Sequence, residues 1–167
     1  MGREAVFDPA ELFRALATAE IDYVLIGGLA VGAHGAVRAT QDVDICPDPS
    51  VGNLRRLADL LVEIDAVNAD VDEFSPDELP DHDLDGLRAG GNFRLRTRLG
   101  RLDVMQHVAP FGDETWATLD RHAEQRAAFG VSLRVCDYDT LIAMKRAAGR
   151  GQDRVDLENL KAARREL

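Results

Sequence analysis

The run YVLIGG at residues 23–28, followed thirteen residues later by DVDI at 42–45, constrains this chain more than any other feature. Ile21–Ile26 is short and apolar, the pattern of a buried strand, and Gly27-Gly28 breaks it. QDVDIC reads as a second strand, closed by Pro47 and Pro49. It sets Asp42 and Asp44 on one face, about 6.6–6.8 Å apart along the chain. Carboxylates so placed repel each other and resist burial. Left in water they are an ordinary solvated strand edge. The glycines favour another use. A strand that ends in Gly-Gly and passes into a helix offers backbone N–H groups to an anion. Glycine also lets the anion approach the backbone. Magnesium favours carboxylate oxygen and keeps water and phosphate as further ligands. Two such ions, about 3.5–4 Å apart, serve phosphoryl transfer.

The remaining elements follow from local signals. DPAE at 8–11 predicts a helix over 9–19, with Asp8 as N-cap, Pro9 in the first position and Glu11 completing a capping box. Leu12, Phe13, Leu16 and Ala17 mark its apolar stripe. LAVGAHGA reads as a short helix after the glycine turn. Ser50 opens another, with Leu54, Leu57, Ala58, Leu61 and Val62 on one face. Residues 65–92 are the least regular, and Asp65–Asp85 holds nine acids with no Lys or Arg, an acidic loop. NFRLRTRLGRLDVMQHV reads as a hairpin turning at Gly100, with Leu95, Thr97 and Leu99 facing one way and Arg94, Arg96 and Arg98 the other. Helices are predicted over 113–128, 138–148 and 153–165, and a strand over 131–136. Together these make one α/β (α+β) domain, a mixed β-sheet flanked by helices. Its core spans about 1–110, and a C-terminal strand and helical part about 111–167.

The formal net charge of −10 argues against general DNA or RNA coating, which needs a basic surface, but leaves room for a locally basic site. No apolar run reaches the roughly 20 residues of a membrane span. MGREAVFDPAELF has no apolar signal core, so a cytoplasmic protein is expected. Cys46 and Cys136 form no metal-ligand spacing and fit a reduced interior. Of the twenty basic residues only Lys145 and Lys161 are lysines, an arginine bias that fits a GC-rich bacterial genome.

An apolar strand, Gly-Gly, a short gap and Asp-h-Asp-h, where h is any apolar residue, resembles the signature of the DNA polymerase beta-like nucleotidyltransferases. The form GGLAVGAHG…RATQDVDI is similar to small bacterial members related to AbiEii-type toxins of abortive-infection and toxin–antitoxin systems. LIAMKRAAGRGQDRVDLENL resembles their lysine-bearing helix and the helix start that follows it. Asp103 in GRLDVM matches the family's third carboxylate. The resemblance covers most of the chain and is thinnest over 66–90. It implies a nucleotidyltransferase fold with C-terminal helices. It implies transfer of a nucleoside monophosphate from ATP or another NTP, with release of pyrophosphate. Gly27 and Gly28 would hold the triphosphate. Asp42, Asp44 and Asp103 would be catalytic and would hold two Mg²⁺ ions, for which Mn²⁺ can substitute. Lys145 would neutralise phosphate, and Arg38 and Thr40 would face the same cleft. The acceptor would be an RNA 3′ end, a partner protein or a small molecule, and a cognate antitoxin or toxin is a further partner. The rival expectation is an inactive antitoxin or interaction module that keeps the fold.

Other features invite plainer readings. DHDLDGLRAGGN at 81–92 imitates a calcium loop until Asn92, which cannot supply the bidentate carboxylate of the twelfth position. Arg150, Asp153 and Asp156 read as capping and pairing residues of a helix start. Arg94, Arg96 and Arg98 read either as a strip that binds the acceptor or as charges that blunt an exposed sheet edge, the second being the plainer use. His107, four residues past Asp103, reads as a satisfied histidine.

Overall fold

The computed structural model describes residues 7–69 and 78–166. In chain order its elements are α1 (Pro9–Thr18), β1 (Tyr23–Ile26), α2 (Gly27–Ala33), β2 (Asp42–Pro47), α3 (Val51–Glu63) and β3 (Val67–Asn68). There follow α4 (Leu84–Arg88), β4 (Asn92–Thr97), β5 (Gly100–Met105), α5 (Thr115–His122), β6 (Glu124–Ala128), β7 (Val131–Val135), α6 (Tyr138–Ala148) and α7 (Gly151–Arg165). Asp8 caps α1 by accepting from the Ala10 N–H at 3.0 Å.

The strands form one mixed sheet in the order β3-β4-β5-β2-β1-β7-β6. β1 lies antiparallel to β2 and parallel to β7, while β2 lies parallel to β5. Strand alternation then divides the sheet into two faces. Val43 and Ile45 of β2 pair with Leu102 and Val104 of β5, and all four are fully buried. Leu12, Phe13 and Leu16 of α1 and Leu54, Leu57 and Leu61 of α3 belong to the same apolar cluster. So do Leu133, Val135, Leu141 and Leu160, which ties the part after residue 110 into the core of the first.

Four expectations need correction. The glycines do not form a turn ahead of a helix: Gly27 and Gly28 are its first two residues. Val62 is 78% exposed, and Leu60 takes its place on the buried side of α3. Residues 124–128 are a strand, not the end of a helix. EQRAA has helical composition, yet Phe129 and Gly130 both take positive φ, 55° and 74°, the two-residue turn that matches hairpin twist. Pairing with β7 along its whole length then overrides propensity. Lastly, β4 is no edge strand, because β3 pairs with it at Val67↔Arg96 and Asn68↔Leu95. Within the acidic stretch, Asp83 caps α4 by accepting from the Gly86 N–H at 2.8 Å, so the calcium-loop imitation is a helix start. Part of the acidic loop, residues 70–77, lies outside the described residues.

Candidate active site

The face opposite the apolar core carries the acids. Asp44 of β2 stands in register with Asp103 of β5, Asp42 with Arg101, and Asp103 with Arg94 of β4. Register partners share a face, so all three carboxylates open into one cleft of about 440 Å³. Gly27, Gly28, Arg38, Thr40, Asp42, Asp44, Asp103 and Lys145, all singled out in the sequence, line it.

The helix start presses closely on this site. Gly27 turns the chain from strand to helix with φ +72°, a conformation that favours glycine. A Cβ there would overlap Asp44 Oδ2. A Cβ on Gly28 would overlap Arg38 Nη1 and stand 3.0 Å from Thr40 Oγ1. Both glycines are therefore required by space, and only Gly27 by φ. Ile26 offers no side chain to cap the first turn of α2. The Thr40 hydroxyl closes against the start of β2, accepting from the Asp42 N–H at 3.4 Å.

Burial sets the electrostatics. Asp103 is 8% exposed, and its pKa is pushed up to about 7 by burial, by the Asp44 charge and by its hydrogen bond to Asp44. The Asp44 pKa is also raised, chiefly by burial, with the bond from Asp103 working the other way. Asp103 Oδ1 is buried without a hydrogen-bond partner. Asp42 is turned aside, its Oδ1 3.3 Å from Arg101 Nε. Among the described residues no three His, Cys, Asp or Glu side chains are gathered closely enough to hold a metal ion. The donors nevertheless fit a hard divalent cation: all are carboxylates, and one buried oxygen is unpartnered.

The second wall of the cleft comes from α6 and α7, where Arg150, Asp153 and Asp156 do cap and pair, but inside the site. Lys145 is 7% exposed, and Asp153 and Asp156 are buried to 1% and 0%. Lys145 Nζ lies 3.1 Å from Asp153 Oδ1 and 2.9 Å from Asp156 Oδ2. Arg38 Nε reaches Asp156 Oδ1 at 2.9 Å, and Arg150 Nε reaches Asp153 Oδ2 at 2.9 Å. Asp153 does cap α7, accepting from the Arg150 N–H at 3.1 Å. It also anchors Lys145, so these acids hold the site's cations. Burial opposes ionisation of Asp153, yet the bonds from Arg150 and Lys145 prevail and hold its pKa below the usual carboxylate range. The signal was present: Asp153, Asp156 and Leu160 lie on one helical stripe, the buried one. Sequence reasoning missed Arg101, which lines the cleft, as does Arg94, for which an acceptor contact is one of two readings. His107 stands outside it, its Nδ1 3.5 Å from Asp113 Oδ1. Cys46 and Cys136 are buried free thiols.

A mixed sheet bearing acids on adjacent parallel strands, beside a strand that runs through glycines into a helix, defines a nucleotidyltransferase-like fold. The solved structure of the lincosamide antibiotic adenylyltransferase LnuA, with lincomycin bound, is similar to it with a TM-score of 0.60. The similarity covers 92% of this chain and 94% of that one at 12% sequence identity, and at that identity it is a likeness of fold. No protein-family model matches the sequence, and no curated protein matches it. Among the described residues no helix is long and apolar enough to cross a membrane.

Proposed function

We propose that this chain is a metal-dependent nucleotidyltransferase, moving a nucleoside monophosphate from an NTP to an acceptor hydroxyl. The observation that carries the reading is the pairing of Asp44 with Asp103, one oxygen unpartnered, beside bare glycine backbone. Asp42, Asp44 and Asp103 hold Mg²⁺ or Mn²⁺. When bound, the cations lower the pKa of the acceptor hydroxyl and neutralise phosphate charge. Gly27 and Gly28 give the triphosphate an approach free of side chains. Lys145 and Arg38, fixed by buried acids, meet its negative oxygens. The acceptor oxygen loses its proton to water and bonds to the α-phosphorus. The bond to the β-phosphate oxygen breaks, and pyrophosphate leaves with the electron pair.

The likeness to an antibiotic adenylyltransferase favours a small-molecule acceptor over an RNA end or a partner protein. The local sequence GGLAVGAHG…RATQDVDI favours a toxin–antitoxin or phage-defence setting. The test is incubation with each α-labelled NTP, Mg²⁺ and a cell extract. We expect label to pass to a component of the extract, pyrophosphate to appear, and both to vanish with Asp44→Asn. No transfer and no pyrophosphate from any NTP would leave the inactive interaction module as the better reading.

A further inference from the structure

The cations that line the cleft fall into two groups. Arg38, Lys145 and Arg150 lie on the glycine side, each ion-paired to Asp153 or Asp156. Arg94 and Arg101 come from β4 and β5, on the far side of the acid row. Among the described residues Arg101 pairs with Asp42 alone, across a half-exposed pair at 3.3 Å. Arg94 makes no ion pair among the described residues, although it shares a face with Asp103.

The spare charge sits beside a second space. A cavity of about 200 Å³ adjoins the cleft, and Arg94 and Met105 line both. Asn68, Asn92 and Phe93 also line the smaller one, so it mixes polar and apolar surface. A triphosphate on the glycine side is already served by its own cations. Once Asp42 turns to a divalent cation, Arg101 loses its counter-ion as well. Two guanidiniums would then line the acceptor side with no ion pair among the described residues, and Asp103, the register neighbour of Arg94, would itself be engaged by the cation. Arginine in that position is suited to bidentate capture of a phosphate or carboxylate.

We propose that Arg94 and Arg101 form an anion subsite for the acceptor, so that the molecule modified carries a phosphate or carboxylate near its reacting hydroxyl. This rests on the nucleotidyltransferase reading, and the experiment separates the two. The protein is first saturated with Mg²⁺ and the α,β-methylene analogue of ATP, with binding followed by calorimetry. Glycerol 3-phosphate, glycerate and glycerol are then titrated in. They offer a phosphate, a carboxylate and no charge on one hydroxyl-bearing frame.

We expect at least one anion to bind about tenfold or more tightly than glycerol, and the tighter of the two names the group recognised. Arg94→Gln should remove that preference, and Arg94→Lys should restore part of it. The analogue should still bind both variants. Equal binding of all three probes, no binding of either anion, or an unchanged preference in Arg94→Gln would overturn the subsite. Failure of the analogue to bind at the first step would instead sink the nucleotidyltransferase reading, and the acceptor subsite with it.

Discussion

The two walls of the cleft hold their cations on opposite terms. On the α6–α7 side, Lys145 lies between two fully buried aspartates, and Asp156 also holds Arg38 against Gly28. On the β4–β5 side, Arg101 meets Asp42 with both side chains partly in water, and Arg94 stands exposed. Buried charges have no solvent to fall back on, so their geometry is held by the partner they have. Exposed charges gain little from a partner and give it up easily. One wall is preorganised for a ligand of fixed charge, and the other stays free to change partners.

Substitutions on each wall, and in the acid row between them, break this contrast in different ways. The largest effect is expected at the acid row. Asp44→Asn removes a charge and keeps the shape, so transfer should be abolished while the metal-free protein stays equally stable or gains slightly. Mg²⁺ with NTP should stabilise wild type by about 2.7 kcal/mol at one hundred times Kd, and leave the variant unmoved. Equal thermal shifts in the two proteins would remove Asp44 from the ligand set. Gly28→Val should abolish NTP binding by driving a side chain into the place of the Arg38 guanidinium. Calorimetry on the folded variant checks this, and unchanged affinity would put the triphosphate elsewhere.

The walls themselves come next. Asp156→Ala strands Lys145 and Arg38 without their shared anion, and should cost about 3–5 kcal/mol in denaturant unfolding. A loss below 1 kcal/mol would mean the network does not hold the wall. Arg101→Gln breaks the exposed pair and should change stability by less than about 1 kcal/mol. A large loss there would show the two walls to be alike.

The finest test uses pH. The Asp103 pKa is raised in the folded protein to about 7, so the native state binds a proton that the unfolded chain has released. Its contribution to stability is fully present below the unfolded value and is lost as pH rises through the folded one. Metal-free wild type should therefore lose stability between about pH 4 and 7 relative to Asp103→Asn. Parallel stability curves for the two proteins would show Asp103 to be an ordinary carboxylate.

Elements with a strong local signature were readable in advance. Asp8-Pro9 opens α1, and α6 runs over the predicted 138–148. Residues 124–128 were not readable, because Glu, Gln, Arg and Ala favour a helix until a partner strand is placed beside them. The acid pair showed itself through i, i+2 spacing, which needs nothing but a strand. Asp153 and Asp156 were legible as capping and pairing residues, but acids at a helix start usually serve its dipole in water, and only packing reveals that their face is the inner one.

The chain by itself determined its alternation of strands and helices, the glycine entry to α2 and the shared face of Asp42 and Asp44. These depend on backbone periodicity and on the absence of a side chain, both local properties. Tertiary structure alone decided that β5 lies parallel to β2 with Asp103 opposite Asp44, which lifts the pKa of both. It also decided that α7 turns its acids inward onto Lys145 and Arg38, and that Arg94 faces the cleft from a covered strand. Burial and charge pairing belong to whatever lies across the gap, and for residues so distant in sequence only the fold supplies that neighbour.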